Sequence, residues 1–151
     1  MTFMQKLRKS AKEKKGFTLI ELIIVIAIIA ILIALIAPNL VKFLSTAKNT
    51  SVEANAKTAY TSIQTYLTEK ETAGTPVTAN TYIITSDGTN LKVEINAAGG
   101  TENAAMAADL KSYFNPKELK SVTITAKVAA SSALEDVKWD SNGQIGNYPK
   151  N

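Results

Sequence analysis

Lys14-Lys15-Gly16-Phe17-Thr18-Leu19-Ile20-Glu21-Leu22 divides the chain into two chemically different parts. Before Gly16, charge is dense. After it, Glu21 is the only ionisable side chain until Lys42. Residues 17–37 contain two polar side chains, Thr18 and Glu21, and residues 22–37 are unbroken Ile, Leu, Val and Ala. A helix of about 20 apolar residues crosses the hydrocarbon core of a bilayer. A lone carboxylate near the start of such a helix is costly, more so with depth, and calls for a compensating partner.

Working outward toward the N-terminus, residues 1–16 carry Lys6, Arg8, Lys9, Lys12, Lys14 and Lys15 against Glu13, a net charge of +5. The remaining residues sum to −1 of the chain's +4. The basic balance therefore belongs to the leader, and the folded part lacks the excess of Lys and Arg that nucleic-acid binding requires. Positive flanking charge keeps its end of an apolar helix on the cytoplasmic side. This predicts a single pass with the N-terminus inside. A conventional secretory signal has an apolar core of roughly 7–15 residues followed by an A-x-A-like site. Here the core is longer, and Ala34 and Ala37 are three apart.

The basic pair, Gly16, Phe17, Thr18, Leu19 and Glu21, followed by the apolar run and Pro38, resemble the class III signal of type IV pilins and pseudopilins. The resemblance covers about the first third of the chain. It implies that a membrane aspartyl peptidase, the prepilin peptidase, cuts between Gly16 and Phe17, and that Phe17 is then N-methylated. It also implies a structural role in a pilus: a subunit that assembly machinery draws from the cytoplasmic membrane into a homopolymeric surface filament for adhesion, motility or aggregation. The alternatives are a minor pilin or adhesin module, or a pseudopilin of a secretion or DNA-uptake system.

Physical chemistry adds a mechanism to this resemblance. Removing residues 1–16 removes the retention charge. The new ammonium at Phe17 opposes the helix dipole, and Glu21, four residues on, lies on the same helical face. Glu21 is expected to pair with that ammonium, of its own or a neighbouring chain, and so to set the register of assembly. Pro38 removes one helical hydrogen bond and crowds the preceding turn, so either a simple kink is expected where the helix leaves the bilayer or, as the resemblance implies, a helix that bends or locally melts there as subunits pack.

Beyond Pro38, Val41, Leu44, Ala47, Ser51/Val52, Ala56, Ala59/Tyr60, Ile63 and Tyr66/Leu67 recur in steps of three and four, one stripe of a helix. Lys42, Lys48, Glu53, Lys57, Glu69 and Lys70 form its wet side. Gly74 and Pro76 stop it. A continuous helix over 17–73 would be roughly 85 Å long.

Past Pro76 the chain turns to Thr, Ser and β-branched residues. Residues 82–85 and 91–95 flank Asp87-Gly88, a hairpin signal. Residues 97–100 read as a loop, 103–113 as a short helix and 121–128 as a strand. Residues 136–139 and 144–146, around Asn142-Gly143, read as a weaker hairpin. The expected architecture is α+β, a long helix packed on a small antiparallel sheet of three to five strands, which is the type IV pilin fold. The expected organisation is a cleaved leader at 1–16, a membrane or filament-core helix at 17–38, its amphipathic continuation at 39–73 and a globular domain at 74–151.

Cys and His are absent, which excludes disulfides, thiol nucleophiles and Cys/His zinc sites. It also removes the C-terminal disulfide loop common in pilins, and it fits cysteine-poor pilins of Gram-positive bacteria. No nucleotide-binding glycine loop and no catalytic constellation is legible, so neither an enzyme nor a cofactor is expected. Asp140-Ser141-Asn142-Gly143 resembles the opening of a calcium loop, but the later ligands are missing; it reads as a turn. Trp139 reads as core or edge packing.

Overall fold

The computed structural model describes Thr2, Gln5 and residues 16–96 and 99–149. The basic leader apart from Thr2, Gln5 and Gly16 lies outside these residues, as do Ala97 and Ala98 of the expected loop. Helix α1 spans Leu19–Thr72 and runs through Pro38. It starts two residues later than expected, because Thr18 and Glu21 close its N-terminus. At its other end Thr75 N–H reaches the Lys70 carbonyl at 2.9 Å and Gly74 N–H reaches that of Glu71 at 3.0 Å. Gly74 has φ +74°, the left-handed position that ends many helices.

By its contacts the chain forms two units, Met1–Phe43 and Leu44–Asn151. In the first, every described residue is exposed. In the second, the helix lies against a six-stranded antiparallel sheet. Its strands are β1 Asn80–Ser86, β2 Leu91–Ile95, β3 Thr101–Glu102, β4 Val122–Val128, β5 Leu134–Ser141 and β6 Gln144–Tyr148, and a short helix α2, Ala104–Leu110, precedes β4. The spatial order is β3-β2-β1-β4-β5-β6. The sheet therefore exceeds the three to five strands expected. The addition is β3, two residues that pair Thr101 with Ile95 and Glu102 with Glu94, too short to show any period.

The helix stripe is buried at Val52, Ala56, Ala59, Ile63, Tyr66 and Leu67. The earlier part of the expected stripe, Val41, Leu44, Ala47 and Ser51, is exposed. Periodicity identified an apolar face there, but no sheet residue covers it. From the sheet, Tyr82, Ile84, Leu91, Val93, Ile124, Ala126 and Val137 meet Ala59, Ile63, Tyr66 and Leu67 of that stripe in one core. Alternate residues of a strand share a face, and Val122, Ile124, Ala126 and Val128 follow that rule.

Strand β5 departs from the rule. Leu134 and Val137, three apart, are both buried. Lys127 pairs with Asp136 but Val128 pairs with Leu134, so Glu135 is the extra residue of a bulge. Pairing with β6 begins only at Val137. Leu134 is instead served by the helix: its N–H donates to Gln64 Oε1 at 3.3 Å, and its carbonyl accepts from Tyr60 OH at 3.0 Å. Backbone groups that leave a ladder need such partners.

Further side-chain ties link α1 to α2 and the turn after it. Lys70 pairs with Asp109 at 2.6 Å, and Tyr113 OH donates to Glu69. That bond pushes the Tyr113 hydroxyl up to about 12; for Tyr66, burial has the same effect. The expected turns are present. Asp87 Oδ1 accepts from the N–H of Thr89 and Asn90 at 2.7 and 2.6 Å, which holds its carboxyl below the usual range. Asn142 and Gly143 take positive φ, +52° and +82°, as the tip of a two-residue hairpin requires. Asp140 Oδ1 there accepts from Gly143 N–H at 3.0 Å, a turn bond. Among the described residues no group of three acidic side chains could hold a metal.

Of the described glycines, Gly146 leaves the least room for a side chain. A Cβ at Gly146 would lie 2.2 Å from the Val52 carbonyl oxygen and 2.6 Å from Glu53 N. Its cross-strand neighbour is Trp139, which is packed against the core. The bare backbone of β6 lets the helix approach at Val52. The Trp139 Nε1–H is buried without a hydrogen-bond partner, at a cost of about 1–3 kcal/mol. Gly146→Val is expected to destabilise the fold by about 3 kcal/mol, read as a lowered urea midpoint of the detergent-solubilised chain by Trp139 fluorescence. A loss under about 0.5 kcal/mol, the range of a neutral surface change, would contradict this packing.

Candidate functional site

Residues 16–18 precede the helix in non-helical, exposed backbone. Phe17 is 87% exposed, and a Cβ placed on Gly16 meets nothing within 4 Å. The Gly16–Phe17 peptide bond is thus open to approach. A glycine at this position adds no side chain on one flank of the bond.

The helix begins with reciprocal hydrogen bonds. Glu21 Oε2 accepts from Thr18 N–H at 2.8 Å and from the Thr18 hydroxyl at 3.0 Å. Glu21 N–H donates to Thr18 Oγ1 at 3.3 Å. The first helical bond runs from Leu22 N–H to the Thr18 carbonyl at 3.3 Å. Thr18 is therefore the N-cap and Glu21 the third helical residue of a capping box. Its sequence signal, Thr-x-x-Glu, is present in Thr18-Leu19-Ile20-Glu21. The expectation for Glu21 looked ahead to an ammonium created by cleavage and passed over the partner three residues away. In the uncut chain the carboxylate is held by Thr18, with both acceptor contacts on Oε2. A negative side chain here also complements the helix dipole.

Beyond the box, the large apolar side chains from Leu19 to Leu44 are at least 47% exposed. No part of the apolar window is buried, and the helix is long and apolar enough to cross a membrane. A face this large and bare marks contact with lipid or with other protein. Pro38 lies within this exposed stretch, inside continuous helix. Gly16, Phe17 and Glu21 are thus brought together at one end, while Pro38 stands apart, about five turns along the helix.

Compared with known protein families, residues 11–37 match the prokaryotic N-terminal methylation motif, the class III signal peptide of type IV pilins. Searches of curated proteins and of solved structures found no match. The motif and the exposed apolar helix together fit membrane anchoring and processing by prepilin peptidase.

The capping box makes a local claim. Thr18→Ala is expected to speed hydrogen exchange at the Glu21 amide, which donates to the Thr18 hydroxyl, about 2- to 30-fold, the equivalent of a lost cap, while Thr18→Ser leaves it near wild type. Equal exchange in Thr18→Ala and wild type would contradict the box.

Proposed function

We propose that this chain, which carries the signal peptide of type IV pilins, is a structural subunit of a pilus. The observation that carries this reading is the pairing of an accessible Gly16–Phe17 bond with a helix of exposed apolar residues that opens on one carboxylate. Cleavage removes the basic leader that holds residues 1–16 in the cytoplasm, and Phe17 becomes the methylated N-terminus. The freed helix leaves lipid for the core of a filament, where helices of other copies cover its apolar face. The second unit faces the medium on the cell surface.

Glu21 has two successive roles in this scheme. In the precursor it caps the helix through Thr18. After cleavage the Phe17 ammonium lies next to the residue whose N–H the carboxylate already accepts. Neither contact to Thr18 uses Oε1, which leaves that oxygen for the ammonium of the same or a neighbouring chain. A buried ion pair with one partner removed is strongly penalised, so subunits that bring ammonium and carboxylate into register are favoured over those that do not. Pro38, lacking an N–H, is the point at which the helix bends or opens during packing.

Two substitutions separate capping from charge. Glutamine at the third helical position still closes a capping box but carries no charge; alanine does neither. Both Glu21→Gln and Glu21→Ala are expected to be inserted yet to lower the yield of sheared filaments at least about tenfold. Filaments at normal yield from Glu21→Gln would show that capping suffices and would overturn the charge-register role.

A further inference from the structure

The second unit holds a pocket that shares no residue with the site at residues 16–21. It has a volume of about 150 Å³ and opens on the flank of α1. Asn55, Thr58 and Ser62 of the helix form one wall, and residues 113–115, 118 and 119 form the other. Trp139 closes it. It is the chain's only tryptophan, and its indole N–H is the one buried polar side-chain atom among the described residues with no partner.

The lining narrows the chemistry of an occupant. Among the described residues no Lys or Arg lines the pocket, so an anion finds no countercharge there. Hydroxyl and amide groups come from Asn55, Thr58, Ser62 and Asn115, and Glu118 supplies a carboxylate. The Asn115 amide donates to Glu118 Oε1 at 3.3 Å, so these two groups are already held together. The Thr58 hydroxyl donates back to the Ala54 carbonyl at 3.0 Å, which turns its oxygen into an acceptor for any further partner. The rings of Tyr113, Phe114 and Trp139 give apolar surface. Hydroxyl-binding groups beside aromatic surface suit a molecule with a polar rim and apolar C–H faces. The unpaired N–H asks in addition for a hydrogen-bond acceptor.

We propose that this pocket binds a single neutral sugar ring, free or as the terminal unit of a longer glycan. Ring hydroxyls bond to Asn55, Ser62 and Glu118, a C–H face rests on the aromatic side chains, and one oxygen supplies the acceptor that Trp139 lacks. The N–H is closed to a water-sized approach. Occupancy therefore involves a small adjustment of the 113–119 wall, which contains neither α-helix nor strand. A quaternary ammonium would also suit aromatic rings, but it has no acceptor for the indole.

Because Trp139 is the only tryptophan, its fluorescence reads the pocket directly. The test is a titration of the full chain, in a detergent without a sugar headgroup, with glucose, galactose, mannose, N-acetylglucosamine and N-acetylgalactosamine. At least one is expected to shift the emission saturably at millimolar concentration, the range for a ligand of about a dozen heavy atoms. Ser62→Leu, which fills the pocket, should abolish the response, and Asn55→Ala should weaken it about fivefold, with circular dichroism unchanged in both. No saturable response to any of the five sugars would overturn the proposal. So would a response that persists in Ser62→Leu, or saturation by choline alone.

Discussion

A carboxylate at the head of a membrane-length apolar helix must always have a partner, and the N-terminal third of this chain is built around that requirement. Thr18 meets it first, by offering both its N–H and its hydroxyl to Glu21 Oε2. The same bonds end the helix at Leu19 and leave Gly16 and Phe17 outside it in open backbone. One local device thus stabilises the charge, starts the helix and keeps the bond of the methylation motif accessible. In the proposed scheme, cutting that bond creates a second partner within a residue of the first. The partner of the carboxylate then depends on whether the leader has been removed, which links processing to assembly.

The second unit obeys a different constraint, the fit of one helix to a bulged sheet. The sheet face and the stripe from Ala59 to Leu67 make a conventional core. Its particular geometry comes from Gly146, where only a missing Cβ allows β6 to reach the Val52 backbone, and from Glu135, whose bulge leaves Leu134 to Tyr60 and Gln64. No disulfide is available, so packing and hydrogen bonds of this kind carry the stability of the unit. Its ties at the far end, Lys70 to Asp109 and Tyr113 to Glu69, join α1 to α2 and the turn after it.

Much of this was legible in the sequence because the signals were strong and local. Steps of three and four gave the helix, Gly74 its end, Asp87-Gly88 and Asn142-Gly143 their hairpins, and alternation gave β4. What was not legible has physical reasons. β3 is two residues long and has no period. The bulge at Glu135 breaks alternation, which hid the start of β5. The spacing of Val41, Leu44 and Ala47 reports an apolar face but not what covers it. Two signals were present and carried less weight than they should have. A lone glycine inside a strand, as at Gly146, often marks close backbone approach, and Thr-x-x-Glu before an apolar run marks a capping box.

The reading as a pilus subunit rests on one covalent event at one bond. Filaments sheared from cells, digested and examined by mass spectrometry for their N-terminal peptide, report that event and filament membership together. N-methylated Phe17 as the first residue is the expected result. A filament subunit that begins at Met1, or filaments that contain none of this chain, would contradict it.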